Sequence, residues 1–416
     1  MHIVDLAAVP ALVEPLASGR RSESGSDTPR VVASGNFATP LPLLRAVDAG
    51  LSGYRLHMLN AHGEIPSHEG VIHETAFVGP AMRRSVGLSY VPARLSLLPL
   101  LFRSALPPDI VVVHTSMPRD GSVSLGVETN VLPAAIESVR ARGGLVLAQM
   151  NPAMPYTFGD AEIPMESVDY AVEVDEPLLQ SVPTTPDDAS RRIGEQVAAR
   201  IPDGATIQLG IGLVPDSTLP GLAGRRDLRL WSETFSDGVL ELDRAGALDP
   251  DTPLVSSFIF GSEQLYRWVD RNPRIRVMRT EFTNDPARIC AHPNFVSINS
   301  ALEVDLFVQA NASRINNRIY SGFGGQNDFL VGALHSPGGQ AFIALRSWHP
   351  KADVSSIIPL LGEPATSFQA SAVVTEQGLA QVWGCDQSEQ AARLIRHAAH
   401  PDVREELEEE ARALGL

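Results

Sequence analysis

The sequence predicts an α/β protein with two open domains, each built on a mainly parallel sheet. Three observations favour this class. Short apolar runs of strand length alternate with helical patterns along most of the chain. Several of these runs end at a glycine or polar turn from which a helix begins. The 416 residues also exceed what one ordinary hydrophobic core holds, so two domains are expected.

The domain boundary is predicted in the proline-rich stretch at residues 175–187, which interrupts the alternation of strands and helices. We therefore expect an N-terminal domain at residues 1–182 and a C-terminal domain at residues 183–416. A short helix and a polar loop are expected before residue 30. The elements expected after that are strands at 31–34, 54–59, 110–114 and 144–149, and helices at 41–49 and 132–142.

The C-terminal domain repeats the pattern and ends in charged helices. Pro401 divides the helical residues 389–414 in two, and the acidic run at 405–410 is expected to be a solvated helix face. The strand and helix rhythm of both halves predicts sheets covered on both faces. The remaining expected elements are a helix at 189–200 and strands at 207–209, 228–231, 274–278, 305–309, 340–345 and 371–375.

The most informative stretch holds two strand ends. The strand at 207–209 stops at a Gly-Ile-Gly turn, and Pro215 favours the first turn of a helix over residues 216–222. The strand at 228–231 stops at Ser232, Glu233 and Thr234. Ser236 and Asp237 then provide a cap for a helix reaching residue 242.

Both turns lie at the carboxyl ends of parallel strands, where open α/β folds bind ligands. The first turn offers backbone N–H groups on glycines, and the second offers the carboxylate of Glu233. A nucleophile beside an oxyanion hole needs this pairing of groups.

The motifs of this stretch resemble those of the acetyl-CoA hydrolase/transferase family, which includes butyrate, succinate and 4-hydroxybutyrate CoA-transferases. The family pattern is a GIG turn before Pro-Asp, then Thr-Glu or Ser-Glu ahead of Ser-Asp-Gly. Together, the motifs that match the family cover most of the chain from about residue 31 to the end. They are Gly210-Ile211-Gly212, Pro215-Asp216, Ser232-Glu233 with Ser236-Asp237-Gly238, the runs at 151–155, 157–160 and 321–329, and Val374-Thr375-Glu376 with Gln377-Gly378.

The resemblance implies that Glu233 is the nucleophile that attacks the thioester carbonyl of an acyl-CoA. It implies that the Ile211 backbone N–H is an oxyanion donor and that Asn284 orients the glutamate by hydrogen bonding. It places the active site in the cleft between the two domains. The positions expected to bind substrate or coenzyme A are Gly210, Gly212, Gly322, Gly324, Gly325 and Gln326.

Each of these residues also has a structural interpretation. A glutamate beside Ser and Thr at a helix start usually caps the helix. The GIG turn alone is an ordinary strand-to-helix connection, and it lacks the last glycine of a dinucleotide-binding pattern because Pro215 stands there. The glycines at 322–325 are compatible with a hairpin, and Asn284 with an Asx turn ahead of a proline. The scattered His292, His335 and His349 have no ligand spacing.

The composition excludes several classes of protein and of binding site. The formal charge of −16 argues against a nucleic-acid partner. No apolar run is long enough to span a bilayer, and no basic leader opens the chain, so a cytoplasmic protein without membrane contact is expected. The two cysteines, Cys290 and Cys385, predict neither a disulfide nor a metal site. The family resemblance implies coenzyme A as a substrate, and no tightly bound cofactor is expected.

Three functions compete. The first is transfer of coenzyme A between an acyl-CoA and a small carboxylic acid, by a homo-oligomer of two or four chains. The second is acyl-CoA hydrolysis on the same scaffold, and the third is a non-catalytic protein that binds coenzyme A or a nucleotide. Two departures from the family pattern bear on specificity. Gln377 stands where a tyrosine is common, and Ser367-Phe368-Gln369 where an Arg-Asn-Asp run is frequent.

Overall fold

The structure is a computed structural model that describes residues 1–18, 28–181, 185–210, 212–365 and 368–416. The domain boundary predicted at residues 182 and 183, most of the polar loop before residue 30, Ile211 and Ser367 lie outside the described residues. The chain divides into two compact units. The first unit holds residues 1–182, 255–283 and 320–324, and the second holds residues 183–254, 284–319 and 325–416.

The first unit contains a fully parallel eight-stranded sheet. All six residues of its strand Ile110–Thr115 are buried. Because successive side chains of a strand point to opposite faces, this burial means that both faces of the sheet are covered there. In spatial order the strands are His2–Ile3, Tyr170–Glu173, Leu145–Met150, Ile110–Thr115, Arg30–Ala33, Tyr54–His57, Val71–Thr75 and Ser89–Tyr90.

Helices cover this sheet as the apolar periodicity predicts. Leu132–Ala141 packs against the strands Ile110–Thr115 and Leu145–Met150, and Leu41–Gly50 packs against Val9–Ser18. The other helices of this unit are Leu98–Phe102, Glu263–Val269 and Thr280–Thr283. Its further strands are Ser122–Ser124, Glu162–Pro164, Phe258–Ile259 and Ile275–Val277. The first residue of the strand Leu254–Ser256 is assigned to the second unit and the other two to the first.

The second unit has a mixed sheet with a parallel centre. The parallel strands are Arg229–Leu230, Thr206–Leu209, Phe295–Asn299, Gln340–Ala344 and Ala372–Thr375. Two short strands join it antiparallel, Thr234–Phe235 beside Thr206–Leu209 and Gly378–Gln381 beside Ala372–Thr375. The small strands outside this sheet are Glu303–Asp305, Ala310–Asn311, Arg314–Ile315, Arg318–Ile319, Trp348–His349, Val354–Ser355 and Ile357–Ile358.

The helices of the second unit pack onto the same sheet. Gln326–His335 packs on Phe295–Asn299 and Gln340–Ala344, and Gln387–His397 packs on Gly378–Gln381. The last helix, Arg404–Ala413, keeps its glutamates exposed at 405, 406 and 408–410, as predicted. The others are Asp188–Ala198, Leu213–Asp216, Asp237–Arg244 and Pro286–Ile289. Among the described residues, no helix combines the length and the hydropathy needed to cross a bilayer.

Two element predictions are wrong in instructive ways. The helix expected at 216–222 is a single α-turn, Leu213–Asp216, followed by a 3-10 turn, Leu219–Leu222, because Pro220 and Gly221 do not sustain an α-helix. The strand expected at 305–309 ends at Asp305. The Asp305 carboxylate accepts hydrogen bonds from the backbone N–H groups of Phe307 and Gln309, so the chain turns there.

Candidate active site

Glu233 lies in a short connection held on both sides by the strand Thr206–Leu209. The strand Arg229–Leu230 runs parallel to it, and Thr234 pairs back antiparallel with Leu209. The hydroxyl of Ser232 accepts a hydrogen bond from the Leu209 N–H at 3.2 Å and donates to the Leu209 carbonyl at the same distance. The connection is therefore fixed at the carboxyl end of the strand, where the sequence predicts the carboxylate.

Asn284 contacts the carboxylate of Glu233 directly. Its side-chain Nδ2 donates a hydrogen bond to Glu233 Oε2 at 2.7 Å, and the asparagine is fully buried. The Asx turn before Pro286 is made by Asp285 instead, whose carboxylate accepts from the Ala287 N–H. Asp285 thus forms the turn, and Asn284 donates its side-chain amide to Glu233.

Gly325 lies against the same pair of side chains. It is the N-terminal cap of the helix Gln326–His335. A Cβ atom at this position would lie 1.8 Å from Glu233 Oε2 and 2.1 Å from Asn284 Nδ2. Only glycine leaves room for the Glu233–Asn284 hydrogen bond, and the start of a helix favours a nearby negative charge.

The carboxyl group of Glu233 is difficult to ionise in this environment. Burial raises the pKa of Glu233 to about 7, the hydrogen bond from Asn284 opposes this rise, and the buried carboxylate of Asp328 adds to it. Asp328 lies in the first turn of the helix that begins after Gly325. At neutral pH both the acid and the carboxylate are therefore populated, as is common for catalytic groups.

Two glycines of the GIG turn, Gly210 and Gly212, were predicted to bind substrate or coenzyme A, and both are among the described residues. The N–H of Gly210 donates to the carbonyl of Ile298 at 2.7 Å, and Gly212 adopts a positive φ of 118° that favours glycine. Ile211 lies outside the described residues, so its role as an oxyanion donor stays a prediction. Gln326, at the start of the helix beyond Gly325, donates its side-chain amide to the Ser300 carbonyl at 3.3 Å.

A buried polar cluster lies beneath the GIG turn and was not identified in the sequence. Gln208 accepts hydrogen bonds from Ser297 at 2.6 Å and from Asn299 at 3.1 Å. The side chain of Asn299 also lies 3.1 Å from where a Cβ of Gly210 would stand. The available signal was the period-two spacing of polar residues 297 and 299 in an otherwise apolar strand.

The glycines at 322 and 324 belong to the first unit and do not form a hairpin by themselves. Gly322 pairs with Phe77, and a Cβ on Gly322 would lie 2.4 Å from the Ala76 carbonyl oxygen. Gly324 has a positive φ of 56°, and its carbonyl accepts a hydrogen bond from the Leu95 N–H. The hairpin lies just before them, between Arg314–Ile315 and Arg318–Ile319.

The other family-like motifs have structural contacts. Asp160, the last residue of the run 157–160, accepts a hydrogen bond from the Arg279 backbone N–H at 3.1 Å. Glu376 accepts from the Ser347 N–H at 2.9 Å. The Gln377 side chain donates to Glu376 at 3.3 Å, which gives this departure from the family pattern a defined contact.

Comparison with protein families identifies two matching models. The acetyl-CoA hydrolase/transferase N-terminal domain matches residues 36–183, and the acetyl-CoA hydrolase/transferase C-terminal domain matches residues 261–411. Among curated proteins, the chain is 38% identical over 350 residues to the 4-hydroxybutyrate coenzyme A transferase of Clostridium kluyveri, covering 80% of each chain.

Solved structures show the same similarity over the whole length. The 4-hydroxybutyrate CoA-transferase of Porphyromonas gingivalis superimposes with a TM-score of 0.81 at 32% identity, over 99% of this chain and 98% of that one. RipA from Yersinia pestis superimposes with a TM-score of 0.90 at 27% identity, over 100% and 98% of the two chains. The α/β class predicted from the sequence is confirmed.

Proposed function

Because this chain belongs to the acetyl-CoA hydrolase/transferase family, we propose that it transfers coenzyme A between an acyl-CoA and a small carboxylic acid. Family membership by itself supports an enzyme that acts on coenzyme A. The proposal goes further and assigns the covalent chemistry to Glu233. The observation that carries it is the 2.7 Å hydrogen bond by which Asn284 orients the Glu233 carboxylate beside Gly325.

The first half of the reaction loads coenzyme A onto the enzyme. The ionised Glu233 carboxylate attacks the carbonyl carbon of the acyl-CoA, and the carbon–sulfur bond breaks to give an acyl-glutamyl anhydride and the CoA thiolate. The thiolate then attacks the glutamyl carbonyl. The donor acid leaves as its carboxylate, and Glu233 is left as a thioester of coenzyme A.

The second half reverses these steps with a different acid. The acceptor carboxylate attacks the glutamyl thioester, which releases the CoA thiolate and forms a new anhydride. The thiolate attacks the acyl carbonyl of that anhydride, so the new acyl-CoA forms and the Glu233 carboxylate is regenerated. Atoms and charge balance without any further reactant. Each tetrahedral intermediate requires an oxyanion donor, for which the Ile211 N–H is the candidate.

Hydrolysis is the alternative on this scaffold, since acetyl-CoA hydrolases are also among the relatives. Water would then attack the glutamyl thioester and release coenzyme A and the carboxylate. The outcome depends on how well the loaded site excludes water. We favour transfer because the relatives with higher identity are named as CoA-transferases.

Mass spectrometry of the protein, before and after digestion, tests the proposal. The protein is incubated with a panel of acyl-CoAs, with and without acetate, and digested to locate any added mass. We expect a CoA adduct on the peptide that contains Glu233, lost when acetate is added, with acetyl-CoA as the product. An adduct that decays at the same rate with and without acetate would support hydrolysis. The absence of an adduct with every acyl-CoA tested would contradict the covalent mechanism.

Steady-state kinetics provides a second test. An enzyme-bound thioester requires a ping-pong scheme, so double-reciprocal plots at several acceptor concentrations should be parallel. Intersecting lines would indicate a ternary complex and would exclude the covalent intermediate.

A further inference from the structure

One long segment of the first unit carries positive charge in an otherwise acidic protein. Residues 75–108 contain no aspartate or glutamate, although the chain has 49 acidic residues and a formal charge of −16. The same segment contains Arg83, Arg84, Arg94 and Arg103. A protein with this overall charge repels an anionic substrate unless a local basic surface attracts it. The acid-free segment is the strongest candidate for such a surface.

Two of these arginines are exposed and have no carboxylate partner among the described residues. Arg103 forms an ion pair with Glu137 at 3.1 Å, so its charge is neutralised within the unit. Arg83 contacts Tyr320 through the face of its ring and through its backbone carbonyl, and no ion pair joins Arg83 or Arg84 to a carboxylate of the described residues. Arg83 and Arg84 therefore present adjacent positive charges to solvent.

Arg83 is held in one orientation by Tyr320. Its guanidinium carbon lies 4.0 Å from the centre of the Tyr320 ring, and its Nε donates to the Tyr320 carbonyl at 3.3 Å. A cation over an aromatic face is favourable, and stacking leaves the two terminal nitrogens of the guanidinium free to face a ligand. The Tyr320 side chain is itself 40% exposed, so the stacked pair is open to solvent.

The loop that carries Tyr320 is fixed to the acid-free segment. The Val78 N–H donates to the Ser321 carbonyl at 2.8 Å, Gly322 pairs with Phe77, and the Leu95 N–H donates to Gly324. Because these contacts fix the loop along its length, the position of Arg83 over Tyr320 is preorganised.

We propose that Arg83 and Arg84 bind a phosphate group of coenzyme A, with Tyr320 orienting Arg83. This inference rests on the proposed function, in which coenzyme A is the substrate, and it names the residues that would recognise its charged end. Guanidinium groups bind phosphate through paired hydrogen bonds, and phosphates are the charged groups of this substrate. Both the 3′-phosphate and the pyrophosphate have this chemistry.

Direct binding measurements test the assignment without relying on turnover. Calorimetric titration of free coenzyme A is compared among the wild type, Arg83→Gln, Arg84→Gln and the control Arg396→Gln, which removes an equal charge from an exposed helix position. We expect Arg83→Gln and Arg84→Gln to bind coenzyme A about fivefold to tenfold more weakly than the wild type. The expected loss is modest because solvent weakens the interaction of an exposed arginine with a phosphate. The control should bind like the wild type.

Truncated ligands identify the phosphate and provide the opposing outcome. If the 3′-phosphate is bound, the variants should bind 3′-dephospho-CoA as the wild type does, and if the pyrophosphate is bound, they should lose affinity for it too. In either case pantetheine, which has no phosphate, should not distinguish the variants from the wild type. Equal binding of coenzyme A by Arg83→Gln, Arg84→Gln and wild type would overturn the inference, as would an equal loss of affinity for pantetheine.

These outcomes are separate from those of the proposed function. A protein that binds coenzyme A through these arginines but forms no adduct on Glu233 would retain the phosphate site and lose the transferase mechanism. A protein that transfers coenzyme A normally with both arginines replaced would retain the mechanism and lose the phosphate site.

Discussion

Asn284 Nδ2 lies 2.7 Å from Glu233 Oε2, and a Cβ atom on Gly325 would collide with both atoms. Three distant segments of the chain therefore meet around one carboxylate oxygen. The hydrogen bond orients the carboxylate, and the absence of a side chain at 325 preserves that orientation. This arrangement predicts different consequences for replacing each of the three residues.

Replacing Glu233 with glutamine should abolish turnover while stabilising the fold at neutral pH. An amide cannot form the anhydride, so we expect activity to fall by several orders of magnitude. Burial raises the pKa of Glu233 from 4.5 to about 7, so the wild type loses stability as pH rises through this window, and the loss approaches about 3 kcal/mol. Glutamine does not ionise, so Glu233→Gln avoids this loss.

Urea unfolding of both proteins at several pH values measures the second effect, and the CoA-exchange assay measures the first. Glu241→Gln serves as the control, because Glu241 is an exposed glutamate on the following helix. It should change neither property by much. Exchange by Glu233→Gln at the wild-type rate would exclude this residue as the nucleophile.

The rate should rise with pH through the neutral range. Only the ionised form of Glu233 attacks, and burial raises the pKa of this carboxyl to about 7. We expect kcat/KM to increase about tenfold per pH unit below the pKa and to level off above it. Removing the Asn284 hydrogen bond should shift the profile of Asn284→Ala to higher pH, because that bond lowers the pKa. A profile already flat between pH 5 and 8, as expected near pKa 4.5, would show that burial does not control this group.

Adding a side chain at position 325 should reduce activity far more than truncating the side chain at position 211. The Cβ of Gly325→Val would lie 1.8 Å from Glu233 Oε2, so the carboxylate must move and its bond to Asn284 breaks. We expect at least a hundredfold loss of turnover, on the scale of a misplaced catalytic group, with a modest change in melting temperature. Ile211→Ala retains its backbone N–H and should stay active.

Gly224→Ala is the matched control for position 325, because a Cβ at Gly224 meets no atom within 4 Å. It should behave as the wild type in both the exchange assay and thermal unfolding. Normal exchange by Gly325→Val would mean that the reaction takes place elsewhere.

The first unit should depend on a buried carboxylate for its stability in acid. Burial tends to raise the pKa of Glu74, but hydrogen bonds from His57 and Arg30 outweigh it and hold the pKa at about 2, below its usual 4.5. Stability is therefore lost as pH falls through this range, by about 3 kcal/mol. Glu74→Gln leaves the Arg30 charge buried without its partner, and should cost about 3–5 kcal/mol at neutral pH.

Chemical unfolding at pH 7 and at successively lower pH measures both effects. The control is Glu64→Gln, because Glu64 is almost fully exposed and its nearest arginine nitrogen lies 3.8 Å away. That variant should follow the wild type. If Glu74→Gln unfolds at the same urea concentration as the wild type at neutral pH, the buried network contributes little to stability.

Local patterns predicted the regular elements and the family. The strands Ile110–Thr115 and Leu145–Met150 and the intervening helix Leu132–Ala141 end within one residue of their predicted limits. Their apolar runs and bounding turns are read from adjacent residues, so no tertiary information is required. The resemblance inferred from the linked motifs is confirmed by the two family models.

The capping hydrogen bond expected from Ser236 is not formed. Ser236 occupies the N-cap position of Asp237–Arg244, as expected, but its hydroxyl donates to the Asp216 carboxylate at 2.8 Å and makes no cap bond. A distant acceptor competed with the helix N–H groups, and a pattern of neighbouring residues does not contain that acceptor.

The sequence alone determined that Glu233 stands at a strand end beside a glycine turn, because both features are local. The tertiary structure decided which groups surround it. Asn284, Gly325 and the buried Asp328 come from separate segments, and their contacts depend on how the strands of the second unit are ordered. The raised pKa has the same origin, since burial is a property of the packed chain and no single residue carries it.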